Sequence, residues 1–296
     1  MVVNMYFIVI FLVIALSALC MVYMLYKLLK GHDQYPVQSL SQKIALACTG
    51  IISFVADTIG VGSFAVNIAI AKTFKLVKDV ELPGFVNGAQ IIPGAIEAVF
   101  FLGVLHVDFV TLVVLVLGAT LGGFIGGIFA SKINATAVRL IMIFAFVGVI
   151  LLLLGNLFNI LPVGGDLLKL SGIKLIVGFI GMFFAGFLVC FGVGLFALVE
   201  AILFLLGMSP KVAFPIMTTA GAIQQPVTTF AFLINNTIPL KKALIVGCFG
   251  IIGVFIGVNI VTMLSTDGLH WLLVVVIGYN TISLIRSFIK SKDNQA

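Results

Sequence analysis

Charged residues are scarce in this chain of 296 residues: only 9% are Asp, Glu, Lys or Arg, whereas 62% are hydrophobic. A soluble core of this size could not hide so many apolar side chains, so lipid must cover most of them. The net charge of +6 comes from Lys and Arg spread singly between apolar runs, without a basic cluster that contains aromatic residues. The composition therefore predicts a polytopic membrane protein and no nucleic-acid partner.

Residues that build catalytic or metal sites are also few. The three histidines lie at predicted membrane edges, and the four cysteines lie inside apolar stretches without paired or metal-like spacing. We find no nucleophile beside a base and no Gly-x-x-x-x-Gly-Lys loop for ATP. The sequence thus predicts no enzyme, no metal and no cofactor, and an ion gradient or the substrate's own gradient would have to drive any transport.

What the sequence does contain is an internal duplication. The run Gly60-Val61-Gly62 returns about 132 residues later as Gly192-Val193-Gly194. The prolines that follow also match, as the pairs Pro83 with Pro215 and Pro93 with Pro226. Duplicated membrane units whose apolar segments are interrupted by Gly and Pro are typical of transporters with their site between the halves.

Each unit opens with an apolar segment that is too long for one span and too short for two. The first covers residues 44–71 and breaks near Asp57, and the second covers residues 173–206 and breaks at Gly192. Halves of about 14 residues are too short to cross the roughly 30 Å of hydrocarbon. We therefore expect a re-entrant hairpin in each unit, with both tips near the middle of the molecule.

Apolar spans follow each hairpin. They are predicted at about 83–104, 109–130 and 138–160 in the first unit, and at about 212–234, 243–264 and 269–290 in the second. The bias of Lys and Arg toward the cytoplasm places Lys72, Arg139 and Lys242 inside and inverts the second unit relative to the first. Lys174 and Lys211 depart from this bias.

The fold class that follows is an all-α polytopic membrane protein with two inverted repeats. Its predicted domains are an N-terminal transmembrane helix with a linker (1–42), the repeats (43–160 and 173–290) and a short tail (291–296). Each repeat consists of a re-entrant hairpin and about three transmembrane helices. We expect the chain in the cell membrane, with its C-terminus in the cytoplasm.

The glycine breaks predict an anion site formed by Gly60, Gly62, Gly192 and Gly194. Where the second half of each hairpin begins, backbone N–H groups lack partners and the helix N-terminus carries a partial positive charge. Two such termini that converge would bind a small anion without any cationic side chain. Alternatively, these glycines only allow close packing of helices.

Polar side chains inside the predicted spans are candidates for contacts with the substrate, namely Asn87, Gln90, Thr218, Thr219 and Gln225. Amides and hydroxyls need partners in hydrocarbon, so they face the bundle interior or a ligand. Asn87 and Thr219 occupy equivalent positions in the two units, as a site at the repeat interface requires. The alternative is that these groups hydrogen-bond the backbone that the prolines leave unpaired.

Three carboxylates also lie in predicted membrane segments: Asp57, Glu97 and Glu200. An ionised carboxylate at this depth costs at least about 2.5 kcal/mol, so it is usually paired, protonated or functional. No basic residue is predicted at a comparable depth. We expect these residues to take up protons together with the substrate, with cation coordination or backbone capping by Glu200 as alternatives.

The order of these elements resembles the sulfite exporter TauE/SafE family of membrane permeases over about residues 43–290. The two Gly-Val-Gly runs, followed by Pro83 and Pro215, carry the resemblance. It implies secondary transport of small sulfur-containing anions, such as sulfite, sulfonates or thiosulfate, or of small organic acids. An anion channel and a non-transporting membrane scaffold are the alternatives, and two copies could form a homodimer.

Overall fold

The computed structural model of the chain describes residues 2–33, 39–104, 107–161, 164–260, 274–275, 278–279, 281–282, 285–286 and 288–289. Over this part of the chain the secondary structure is helical and no strand is formed, which confirms the predicted all-α class. The first six helices are α1 (Val2–Leu29), α2 (Leu40–Thr58), α3 (Ser63–Thr73), α4 (Leu82–Val104), α5 (Phe109–Ala130) and α6 (Ala135–Leu157). They are followed by α7 (Gly172–Val189), α8 (Leu195–Leu205), α9 (Pro210–Ile234) and α10 (Leu240–Ile260).

Within the described residues, seven helices are long and apolar enough to cross a membrane, namely α1, α2, α4, α5, α6, α7 and α10. The chain is thus a multi-pass membrane protein, as its composition predicts. α9 is not among the seven although it has 25 residues, because four threonines and two glutamines interrupt its apolar sequence. Those six side chains are all buried, so protein rather than lipid surrounds them.

The predicted spans agree with the helices to within about four residues wherever the chain is described. For example, the span expected at 109–130 is α5, and the one expected at 243–264 is α10, Leu240–Ile260. Most of the span predicted at 269–290 and all of the tail at 291–296 lie outside the described residues.

The apolar segment that opens each unit divides unequally, so the prediction of two halves of about 14 residues was wrong. α2 has 19 residues and α3 has 11. α2 begins earlier than expected because Ser39 caps it, with the hydroxyl oxygen accepting a hydrogen bond from the N–H of Gln42. The pair α7 and α8 repeats this division with 18 and 11 residues. Only α3 and α8, at about 16 Å each, are far too short to cross the hydrocarbon.

The helices pack in corresponding pairs around a centre formed by α4 and α9. α2 lies along α10 and α7 lies along α5, while α4 contacts both α9 and α10 and α9 also contacts α5. Glycines bring these pairs close. A Cβ atom on Gly122 of α5 would lie 1.9 Å from the Phe183 carbonyl oxygen, and one on Gly253 of α10 would lie 2.4 Å from that of Ile51.

A charged cluster holds one edge of the bundle together. Asp79 and Glu81 belong to a short 3₁₀ helix, Asp79–Glu81, that leads into α4. Asp79 accepts hydrogen bonds from Lys72 of α3 (2.5 Å) and Arg139 of α6 (2.7 Å). Glu81 accepts one from Lys242 of α10 at 2.8 Å, and both of these side chains are buried. The cluster therefore joins α3, α4, α6 and α10.

Candidate functional site

The two glycine breaks meet at a small cavity. We call residues 59–62, between α2 and α3, the first tip, and residues 190–194, between α7 and α8, the second tip. The cavity has a volume of about 10 Å³, which is roughly the room that one water molecule needs. It is lined by Asp57, Gly62, Ser63, Phe64, Gln90, Gly194, Leu195, Phe196 and Gln225. Both units therefore contribute to it, through the first turns of α3 and α8.

Three of the four predicted glycines are required by the backbone. Gly60, Gly62 and Gly192 have φ values of 99°, 89° and 87°, a region that side chains with a Cβ atom rarely enter. Gly194 has an ordinary φ of −58°. A Cβ atom there would lie 3.9 Å from Cβ of Phe64 in the opposite unit, which is an ordinary contact. Gly194 is thus a point of approach between the units rather than a strained turn.

The side chain of Asp57 binds the start of α3, and only 3% of the residue's surface is exposed. Its Oδ1 accepts a hydrogen bond from the backbone N–H of Ser63 (2.6 Å), and its Oδ2 accepts one from Nε2 of Gln90 (2.5 Å). The Ser63 hydroxyl in turn hydrogen-bonds Oε1 of Gln90. The expectation that N–H groups at both tips are free was therefore wrong for the first tip, because the chain's own carboxylate already binds there.

The second tip has no such carboxylate. Gly194 offers no capping side chain to α8, and no side chain of the described residues accepts a hydrogen bond from the N–H of Leu195. Gln225 of α9 lines the cavity with 4% of its surface exposed, and its amide has no hydrogen-bond partner among the residues described. The N–H of Leu195 and the amide of Gln225 are therefore hydrogen-bond donors without partners in the described structure, where α8 and α9 line the cavity.

Glu97 lies close behind Asp57 on α4 and is almost fully buried, at 1% exposure. Its Oε1 is 2.6 Å from the hydroxyl oxygen of Thr58, which is also 2.8 Å from the carbonyl oxygen of Phe54. The carboxyl groups of Glu97 and Asp57 are close enough to interact electrostatically. The structure therefore brings together two of the three predicted carboxylates.

The third carboxylate, Glu200, does not belong to this group. It lies in α8, is half-buried and does not line the cavity. Among the residues described, no three His, Cys, Asp or Glu side chains are grouped so that they could hold a metal ion.

Asn87, Thr218 and Thr219 do not line the cavity and bond to helix backbone instead. The Asn87 amide donates to the carbonyl oxygens of Pro83 (2.9 Å) and Val189 (3.3 Å). The Thr219 hydroxyl donates to Pro215 at 2.6 Å, and that of Thr218 to Phe214 at 3.2 Å. Asn87 and Thr219 thus make equivalent bonds to the matched prolines, which favours the structural alternative for both residues. Gln90 and Gln225 are the predicted polar residues that reach the cavity.

Two residues of the site, Thr58 and Ser63, and a third beside it, Asn67, were not predicted from the sequence. Thr58 and Ser63 follow directly from the break in the helix, so their position next to the glycines could have indicated them. Asn67 lies one turn after Ser63 on α3, is fully buried, and has no partner for either amide atom in the described structure. The spacing of four residues places Ser63 and Asn67 on one face of α3, so the sequence could have indicated that Asn67 lies near the cavity.

The second tip has a neutral hydrogen-bond network in place of the carboxylates. The thiol of Cys190, which directly follows α7, is 3.2 Å from the carbonyl oxygen of Gly123 and 3.5 Å from the hydroxyl oxygen of Thr228. Nε2 of Gln224 donates to Thr228 at 2.5 Å. Cys190 is fully buried in this network, as is Cys20 in its own surroundings, whereas Cys48 and Cys248 are exposed.

Comparison with known proteins identifies no relative of this chain. The chain matches no protein-family model and no curated protein. The resemblance to TauE/SafE permeases in the two Gly-Val-Gly runs and their prolines stays a prediction.

Proposed function

We propose that the chain is a secondary transporter that moves small anions across the cytoplasmic membrane, with its site between the two tips and with protons carried by the buried carboxylates. The observation that carries the proposal is the cavity lined jointly by the first turns of α3 and α8. Carriers that work by alternating access commonly bind substrate near the bilayer midplane, between two related units and against the ends of broken helices.

The packing of the helices supports two repeats. At the sequence offset of about 132 residues, α2 corresponds to α7, α4 to α9 and α5 to α10. The pair α2 and α10 then corresponds to the pair α7 and α5, and the contact of α4 with α10 corresponds to that of α9 with α5. The re-entrant paths of the pairs α2–α3 and α7–α8, and the inversion of the second unit, are part of the proposal.

The charged cluster supports the proposed orientation in the membrane. Lys72, Arg139 and Lys242 belong to three different helices, and each bonds to the 3₁₀ helix Asp79–Glu81. They consequently lie on one face of the bundle, as the bias of basic residues toward the cytoplasm requires. A C-terminus in the cytoplasm follows from the same bias.

An oxyanion is the substrate class that the donors favour. The free N–H of Leu195 and the amide of Gln225 could both donate to oxygen atoms, and no Lys, Arg or His lines the described cavity. Sulfite, sulfonates, thiosulfate and short carboxylates fit this description, and the resemblance to TauE/SafE permeases favours the sulfur compounds. A cavity of about 10 Å³ is too small for them, so the tips must move apart during transport.

Uptake into proteoliposomes tests the proposal. Purified protein would be supplied with sulfite, thiosulfate, methanesulfonate or acetate, with and without an imposed pH gradient. We expect saturable flux of at least one anion, a stimulation by protons, and a loss of at least about tenfold in Gln225→Leu. Thr120→Val is the matched control, because the Thr120 hydroxyl bonds only to the Val116 carbonyl within α5.

The same assay separates the alternatives. Flux that does not saturate would indicate a channel. Absence of flux for every anion, in protein shown to be folded, would contradict transport of this class and leave the scaffold. Equal losses in Gln225→Leu and Thr120→Val would place the site elsewhere.

A further inference from the structure

We propose that Asp57 is a built-in competitor of the substrate, and that one proton must bind to Asp57 for each anion that enters the cavity. This inference rests on the anion transport proposed above and assigns the coupling step to one residue. It follows from the protonation states that the hydrogen bonds of Asp57 and Glu97 require.

Asp57 is ionised in the described structure. Both of its oxygens accept from N–H donors, Oδ1 from Ser63 and Oδ2 from Gln90. A neutral acid would point its own proton toward one of these donors, so only the carboxylate satisfies both bonds. The N-terminus of the 11-residue helix α3 further favours a negative charge there. Asp57 thus occupies the place at the first tip that a substrate anion would take.

Glu97 is a neutral acid in the same structure. The hydroxyl oxygen of Thr58 lies near two oxygens, the Phe54 carbonyl at 2.8 Å and Oε1 of Glu97 at 2.6 Å. Thr58 has one hydroxyl proton and a carbonyl cannot donate. An ionised Glu97 would have to share that proton with the Phe54 carbonyl, whereas a protonated Glu97 can donate to Thr58 while Thr58 donates to Phe54, which gives two full bonds. Two ionised carboxylates as close as Asp57 and Glu97 would also repel each other strongly in this buried site.

No cation offsets the charge on Asp57 in the described part of the chain. Glu97 is the titratable group that faces it from α4. On α3, Lys72 is nine residues beyond Ser63, about 13 Å along the helix, and bonds to Asp79. On α10, Lys242 lies about 22 Å along the helix from Gly257, the glycine next to Thr58, and bonds to Glu81. On α8, Glu200 does not line the cavity. The cavity itself therefore holds a single net negative charge.

This charge determines what an entering anion requires. A second negative charge beside ionised Asp57 would be strongly unfavourable in a buried cavity. A proton from solvent that binds Asp57 forms one O–H bond and removes the charge. The bonds from the N–H of Ser63 and Nε2 of Gln90 to Asp57 are then weaker, so both groups can donate to the anion, and the unpartnered amide of Gln225 completes the binding groups. For a monovalent anion the net charge of the site is the same before and after binding.

The pH dependence of transport tests this step. In proteoliposomes, methanesulfonate and thiosulfate keep the same charge across the pH range used, so the protein alone changes protonation. We expect the apparent KM of the wild type to rise about tenfold for each unit of pH, the slope that one linked proton gives. The apparent KM of Asp57→Asn should change less than about twofold for each unit of pH, because its amide needs no proton before the anion binds.

Glu97→Gln is the matched variant. It keeps a neutral hydrogen-bonding group at a residue that is neutral throughout the proposed step, so its KM should retain the pH dependence, whatever its rate. Asp57→Asn remains compatible with the fold, since the oxygen of the introduced amide can accept from Ser63, and the Gln90 amide can rotate to accept from the introduced NH₂ group. A pH dependence that survives in Asp57→Asn, or that disappears in Glu97→Gln, would overturn the assignment.

Infrared spectroscopy separates this inference from the proposed function. At neutral pH we expect the band of a buried protonated carboxylic acid in the wild type and in Asp57→Asn, and its loss in Glu97→Gln. Loss in Asp57→Asn instead would refute the inference even if anion transport is observed. If the folded wild type transports neither anion, the proposed function fails for these substrates and the coupling step fails with it.

Discussion

The first and second tips have equivalent glycines with positive φ, Gly60 and Gly192, but the residues beside these glycines differ. Asp57, Thr58 and Ser63 flank the first tip, and the corresponding positions at the second tip are Val189, Cys190 and Leu195. Both tips interrupt a run of helix at a glycine with positive φ. The side chains are not constrained in this way, so one tip can hold a charge and a proton while the other keeps its helix N-terminus free.

The difference continues into the links that follow the tips. The link from α3 to α4 is fixed by the half-buried ion pair of Asp79 with Lys72 and the buried ion pair of Glu81 with Lys242. The link from α8 to α9 is fixed by backbone hydrogen bonds, in which the N–H of Ser209 donates to Leu167 and that of Leu167 donates to Gly207. The first unit thus relies on charged side chains and the second on the main chain.

Among the substitutions that test this comparison, removal of the Glu81 side chain should lower the stability of the protein most. Glu81→Ala leaves the Lys242 ammonium buried without its partner, which costs about 3–5 kcal/mol of the free energy of unfolding. Thermal unfolding in detergent measures the loss. Asp166→Ala, an acid near the corresponding link of the second unit, is the control and should change stability by about 0.5 kcal/mol or less.

A double substitution, Glu81→Leu with Lys242→Met, should recover most of the loss because no unpaired charge remains. If Glu81→Ala and Asp166→Ala destabilise the protein equally, the two links do not differ as the structure indicates.

Giving the first tip the residue of the second should have the next largest effect. Asp57→Val removes the acceptor of two buried donors, the N–H of Ser63 and Nε2 of Gln90, and each unsatisfied group costs about 1–3 kcal/mol. Asp57→Asn keeps an acceptor for Ser63 and should lose less. Thermal unfolding of the two variants side by side decides this, since equal losses would mean that the hydrogen bonds of Asp57 contribute little.

The sequence was informative where a residue type has only a few structural uses. Apolar runs interrupted by Gly60, Gly192 and the prolines predicted the helices and their breaks, because few other folds use such runs. Gln90 and Gln225 were identified for a similar reason, since buried amides need partners. Thr58 and Ser63 were missed because their partners, Glu97 and Gln90, are 39 and 27 residues away in sequence. Their roles depend on how α2, α3 and α4 pack, which periodicity does not reveal.

For Asn87 and Thr219 the sequence left two uses open. Their equivalent positions suggested a shared ligand, but a side chain on a helix can also bond to the carbonyl four residues earlier. Both do so here, with Pro83 and Pro215. Sequence equivalence alone does not distinguish a repeated structural bond from a repeated ligand contact.

The glycines of the tips allow a smaller and more specific test. At Gly62 a Cβ atom would contact nothing within 4 Å, so Gly62→Ala measures only the strain of its φ of 89°. Because its ψ of 128° also lies outside the left-handed helical region, we expect the free energy of unfolding to fall by about 1–3 kcal/mol. Gly194→Ala, at a φ of −58°, should cost less than about 0.5 kcal/mol. If the two alanines have equal effects on thermal unfolding, the tips do not differ in backbone strain.

The smallest effect is expected for Thr219→Val. The hydroxyl of Thr219 bonds to Pro215 within α9 and does not reach the cavity. Loss of this hydrogen bond should lower the free energy of unfolding by about 0.5–1.5 kcal/mol and leave anion flux unchanged. Asn87→Leu should cost more, because the Asn87 amide also bonds to Val189 at the end of α7 and so connects the first unit to the second tip. A Thr219→Val variant that folds but transports nothing would show that equivalent positions do mark the substrate site.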